Sequence, residues 1–292
     1  MTHDISETPT APVSRYYTAP DGLKLHVLDW SGPSDAVPVV CLHGLARTAA
    51  DFSALATRLA RTRRVLALDY RGRGLSQWDT DWKNYSLAVE NADILAVLTA
   101  MGVDRAAIVG TSRGGLHAML LSATRPTLLH AVVLNDIGPA IEARGMARIR
   151  GYVGKLPAPK SWTDAADLAR FTMGEQFSGL DAADFEAYAR LTFEEKNGVF
   201  ATRYDPALLK TLEGLDLSAP LPTMWPQFEG LRDIPTLVIR GANSDLLSAE
   251  TVDEMGRRHP SLEAYVVPGQ GHAPLLLDTP SIERVAAFVE AN

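Results

Sequence analysis

Short runs rich in Val, Leu and Ile alternate with segments of helical period along most of this chain, and the runs end at glycine, histidine or aspartate. Pro38–Leu42 is continuously apolar and stops at His43-Gly44. Val65–Leu68 stops at Asp69, Ala106–Val109 at Gly110, and Ala131–Leu134 leads into Asn135-Asp136. Between them, Asp51 to Leu59 and Leu87 to Met101 place apolar residues three and four apart. Unbroken apolar runs of this length fit strands buried on both faces. Strand and helix in alternation imply βαβ units and a parallel sheet with helices on both sides. Leu23–Trp30 alternates apolar and polar residues, as a half-exposed strand does. Ligands of such sheets bind beyond the carboxyl ends of the strands, so the residues ending each run carry the interest.

The rhythm breaks after Gly138-Pro139 and resumes at the strand Pro235–Ile239, followed by Ala264–Val267 and a closing helix from about Ser281 to Val289. The intervening stretch is helical in tone, punctuated by Pro157, Pro159, Pro206, Pro220 and Pro222, with no clear buried strand. The expected organisation is a flexible N-terminal tail (residues 1–14), one α/β core in two pieces (15–138 and 229–292) and a helical insertion at 139–228.

Composition narrows the class. A chain of 292 residues, 46% hydrophobic and 22% charged, can bury a core without disulfide or metal. Its formal charge of −7 argues against a nucleic-acid or anionic-membrane partner. The one cysteine, Cys41, sits within an apolar run and reads as a buried thiol. No stretch has the ~18–20 apolar residues of a membrane span, and the amino terminus lacks the pattern of a secretory signal. The expectation is a cytoplasmic protein, monomer or homodimer, acting on a small molecule.

Gly110-Thr111-Ser112-Arg113-Gly114 is the G-x-S-x-G of the chain. A nucleophile on a tight strand-to-helix turn is strained, and small residues two positions either side let strand and helix close up. A serine hydroxyl needs a base. Among the seven histidines, His43 and His272 follow strands. His117 lies inside the apolar helix after Ser112, His26 in an early strand and His130 just before one, while His3 and His259 read as surface residues. Gly269-Gln270-Gly271-His272 is a flexible loop able to carry an imidazole over the sheet edge. The base needs an orienting carboxylate. Asp245 and Asp136 both follow strands, and both also fit structural duties, as a helix cap and as a hinge. Gly44 lets the chain turn so that the N–H of Leu45 faces the serine, with the N–H of Arg113 as a second oxyanion donor.

His43-Gly44, Asp69–Ser76, Gly110–Gly114, Gly241–Asp245 and Gly271-His272 together resemble the α/β-hydrolase superfamily in its capped branch of serine esterases, enol-lactonases and meta-cleavage-product hydrolases. The resemblance runs from about Tyr16 to the end, apart from the insertion. It implies an α/β-hydrolase fold with a mostly parallel sheet and a helical cap. The order Ser112, Asp245, His272 matches that of nucleophile, acid and base, with Asp136 the alternative acid that some relatives use. Superfamily members that hydrolyse epoxides or haloalkanes use an aspartate nucleophile, which Ser112 argues against. The implied reaction is hydrolysis of a carboxylic ester or lactone through an acyl-enzyme, with C–C bond cleavage of a ring-cleavage product as the alternative and a triad-bearing ligand receptor as a further one. No metal or cofactor pattern is present. For substrate contacts the candidates are His43, Arg144, Arg148, Trp162 and Trp225. Arg144 and Arg148 share a helix face and form either a clamp for an anion or a solvated surface.

Overall fold

The computed structural model describes residues 11–292. Ten strands and ten α-helices are labelled in chain order. The strands are β1 (Val13–Thr18), β2 (Lys24–Trp30), β3 (Val39–Leu42), β4 (Val65–Asp69), β5 (Ala106–Thr111), β6 (Leu129–Asn135), β7 (Phe193–Lys196), β8 (Val199–Thr202), β9 (Thr236–Gly241) and β10 (Leu262–Val267). The helices are α1 (Ser53–Leu59), α2 (Leu87–Ala100), α3 (Arg113–Thr124), α4 (Ala143–Tyr152), α5 (Trp162–Met173), α6 (Ala182–Thr192), α7 (Lys210–Glu213), α8 (Trp225–Glu229), α9 (Ala249–Arg258) and α10 (Thr279–Ala291).

Eight strands form one sheet in the order β1-β2-β4-β3-β5-β6-β9-β10, parallel except where β2 pairs antiparallel with β1 and β4. This is the expected mostly parallel α/β-hydrolase sheet. The apolar runs are explained by the pleat. Val40 and Leu42 of β3 enter the core under α2 and α3, whereas Val39 and Cys41 enter the core under α1 and α10. Ile108 and Val109 of β5 divide in the same way. The chain leaves β3 towards β4 on one side and reaches β5 on the other. The carboxyl ends of β3 and β5 therefore flank the crevice at which the winding reverses, where ligands of open α/β sheets bind.

Three expectations are corrected. Residues 1–10 of the expected tail lie outside the described residues, but Val13 and Ser14 belong to β1, opposite Asp29 and Leu28. The insertion is not wholly helical. Asn197 and Gly198, both at positive φ, turn β7 into β8, and Asn-Gly is the residue pair such a two-residue hairpin favours. The boundary at 228 cuts through α8, which belongs to the core: Phe228 is buried there, and Ser122 of α3 donates to the Gln227 carbonyl at 2.6 Å. The insertion closes on itself just before that helix, where the Met224 amide donates to the Pro139 carbonyl at 2.7 Å.

Candidate active site

Ser112 stands between β5 and α3 with φ 50° and ψ −110°, a conformation that strains any residue with a side chain. The surrounding glycines make it possible. A Cβ on Gly114 would lie 1.9 Å from the Leu42 carbonyl oxygen, and one on Gly110 would lie 2.5 Å from the Gly114 backbone. Arg113 opens α3, so its amide has no partner within the helix. Its side chain is held from below, with Nε donating to Glu90 at 2.6 Å and a terminal nitrogen to the Tyr85 carbonyl at 3.0 Å. Burial opposes the charge on Glu90, but the guanidiniums of Arg113 and Arg73 and the His117 imidazole together hold its carboxyl well below the usual carboxylate range.

Ser112 Oγ and His272 Nε2 are 2.9 Å apart, and His272 Nδ1 lies 2.8 Å from Asp136 Oδ2. Asp136 is fully buried. It also accepts from the Ser244 hydroxyl at 2.6 Å and the Gly241 amide at 2.8 Å, which fixes its carboxylate plane. Its φ of 54° turns the side chain off the end of β6 towards the histidine loop.

Asp245, first choice from the sequence for the acid, is not on the imidazole. Both of its oxygens accept from Arg148 of α4, at 2.8 and 3.0 Å. Burial raises its pKa, but Arg148, aided by Gln176 and the nearby His272, outweighs this and keeps the carboxyl below the ordinary value. The same pair corrects the reading of Arg148 as an anion clamp, because its guanidinium is already occupied by a carboxylate.

A cavity between the core and the insertion opens over Ser112 and His272. Leu45, Arg47, Asp51, Ile149, Tyr152, Met173, Tyr188 and Thr192 are among its walls. None of the five residues proposed as substrate contacts lines it. His43 is fully buried beneath the turn: its Nδ1 donates to the Gly44 carbonyl at 2.7 Å and its Nε2 accepts from the Tyr70 amide at 3.3 Å. Burial pushes its pKa down to about 4, so it is a neutral brace. Arg144 is exposed. Trp162 packs edge-on against Phe200 within the insertion and donates to Glu195 at 3.1 Å. Trp225 packs against Phe228 and under Arg258. His259 is buried rather than on the surface, with Nε2 2.9 Å from the Leu231 carbonyl.

Two charged residues of the cavity wall that the sequence does not single out are Arg47 and Asp51. They lie three and seven positions after Gly44, in a segment read only as loop and helix start. Their i,i+4 spacing was the available signal.

The α/β-hydrolase-fold family model matches residues 37–279. The chain is a member of the α/β-hydrolase family. The hydrolase is 32% identical to the 3-hydroxybutyrate-oligomer hydrolase of Cupriavidus necator over 92% of its own length and 94% of that protein's. It is 27% identical to the sn-1-specific diacylglycerol lipase of Xenopus tropicalis, covering 91% of this chain and 81% of the lipase. Among solved structures, an α/β-hydrolase from Novosphingobium aromaticivorans superposes on the hydrolase with a TM-score of 0.91 at 37% identity, covering 97% and 99% of the two chains. The relatives are thus hydrolases of esters or similar bonds. Within the hydrolase, no helix among the described residues is long and apolar enough to cross a membrane.

Proposed function

We propose that this hydrolase cleaves a carboxylic ester or lactone of a small molecule through an acyl-enzyme on Ser112. The observation that carries the reading is the continuous contact from Ser112 Oγ through His272 to the buried Asp136. An ionised Asp136 accepts from Nδ1–H, which leaves Nε2 with its lone pair towards the serine hydroxyl. His272 then takes the Ser112 proton as Oγ attacks the substrate carbonyl, and the amides of Leu45 and Arg113 receive the oxyanion. The imidazolium returns its proton to the leaving alcohol. Water attacks the acyl-enzyme by the same route, releasing the acid and restoring Ser112. Insertion residues Ile149, Tyr152 and Met173 serve as the lid over the acyl chain. The ester-cleaving relatives agree with this chemistry.

A panel of short esters, lactones and ring-cleavage products tests the reading. Turnover of at least one ester or lactone is expected, with kcat lowered by about three orders of magnitude or more in Ser112→Ala. Retained turnover in that variant, or cleavage of C–C substrates alone, would overturn it.

A further inference from the structure

The cavity wall beside Ser112 carries an ion pair that the hydrolytic chemistry does not use. Arg47 Nε donates to Asp51 Oδ2 at 2.6 Å and one terminal nitrogen to Oδ1 at 2.9 Å. The other terminal nitrogen donates to the Thr192 hydroxyl at 2.6 Å. The Tyr188 ring covers the guanidinium, with the Arg47 carbon 4.1 Å from the ring centroid. The pair shares the cavity with Ser112, and the stem of Arg47 passes close to it: a Cβ built on Gly44 would be 3.4 Å from Arg47 Cγ and 3.8 Å from Ser112 Cβ. The side chains of Arg47 and Asp51 remain 15% and 20% exposed, and both line the cavity.

The remaining valences define what can bind. A guanidinium has five N–H groups. Three are used by Asp51 and Thr192, so two make no hydrogen bond to the described residues. The Asp51 carboxylate likewise keeps lone pairs beyond the two that Arg47 occupies. A pair already neutral offers little to a second carboxylate, which would leave two anions to share one cation. It does offer a donor and an acceptor side by side, which a neutral hydroxyl satisfies at once. The rest of the wall is largely apolar, with Ile149, Leu168 and Met173 among it.

We propose that Arg47 and Asp51 form a hydroxyl-recognition subsite, so that the preferred substrate is the ester of a hydroxylated aliphatic acid. This rests on the acyl-enzyme reading above and names its acyl group. The hydroxyl accepts from an Arg47 N–H and donates to Asp51 while the hydrocarbon lies along the apolar wall. Arg47 and Asp51 are specificity residues for that group.

The test measures kcat/KM for ethyl butanoate and ethyl hexanoate beside their 3-hydroxy and terminal-hydroxy analogues, and for monoethyl succinate as the anionic comparison. In the unaltered protein at least one hydroxy ester is expected to exceed its parent by about 10- to 100-fold, the range for a hydrogen bond to a charged group. Monoethyl succinate is expected to gain nothing. In Asp51→Asn, and separately in Arg47→Gln, the ratio is expected to fall towards one. A pair that merely props the insertion would instead lower hydroxy and parent esters by the same factor, which would overturn the proposal. So would equal rates on hydroxy and parent esters in the unaltered protein, a measurement independent of any variant's folding. Absence of turnover on every ester would instead overturn the serine-hydrolase reading.

Discussion

Asp136 lies 2.8 Å from His272 Nδ1, and the carboxylate nearer the expected sequence position, Asp245, is bound by Arg148 instead. Both aspartates follow sheet strands, and both sit beside the histidine loop. What separates them is the partner each has found.

Exchange of the two carboxylates for amides should therefore give unequal results. Asp136→Asn presents an amide to Nδ1 and favours the wrong imidazole tautomer, with an expected loss of about 10⁴-fold in kcat. Asp245→Asn keeps one acceptor for Arg148 and should cost less than about tenfold. Steady-state kinetics on one ester checks this, and a larger loss from Asp245→Asn would restore the acid role to that residue.

Arg148 should matter for stability and not for substrate charge. Arg148→Met leaves Asp245 buried without its cation, at an expected cost of about 1–3 kcal/mol in urea denaturation. Removing both charges in Arg148→Met/Asp245→Asn should recover part of that loss. Neutral and carboxylate-bearing esters should be affected alike. A selective loss on anionic esters would show that Arg148 contacts substrate.

Two glycines should respond in opposite directions. Gly114→Ala drives a methyl group into the Leu42 carbonyl, and both stability and turnover should fall, by about 2 kcal/mol or more in the first. Gly151 lies in α4 with nothing within 4 Å of where its Cβ would stand. Gly151→Ala should raise stability by up to about 1 kcal/mol. Thermal melts of the two variants make the comparison.

Acid should weaken the fold partly through His43. Burial lowers its pKa from the ordinary 6.5 to about 4. Between those values the unfolded chain binds a proton that the folded chain refuses, so stability rises with pH across that window and is lost as pH falls through it. The contribution is on the order of 3 kcal/mol between pH 7 and pH 4. His43→Gln should flatten that part of the profile in denaturation series from pH 7 to pH 4. An unchanged slope would mean the imidazole is not held neutral by burial.

The sheet was legible because strands buried on both faces read as unbroken apolar runs, as Val39–Leu42 does. The elbow was legible because Gly110 and Gly114 are demanded by sub-3 Å backbone approaches. Position along the chain does not reveal partnership, and that is why the sequence places Asp245 ahead of Asp136 although Asp136 is the one on His272. Arg148, ninety-seven residues before Asp245, decides which carboxylate is spent on a guanidinium. The substrate contacts failed for a related reason. Trp162 and Trp225 are large and apolar, but they are half-buried against the apolar clusters of the insertion and the core, away from the cavity. The β7–β8 hairpin is signalled in the sequence only by Asn197-Gly198, and its four-residue strands are too short to stand out from the helical periods on either side.

The central claim is that Ser112, activated by His272, takes up the acyl group. Rapid mixing with an activated ester, followed by acid quench and mass analysis of the peptides, tests it most directly. The account predicts a burst of about one equivalent of alcohol per chain, with the acyl group on the Ser112 peptide and no burst in Ser112→Ala. Steady turnover with the acyl group on another residue, or an undiminished burst in Ser112→Ala, would contradict it.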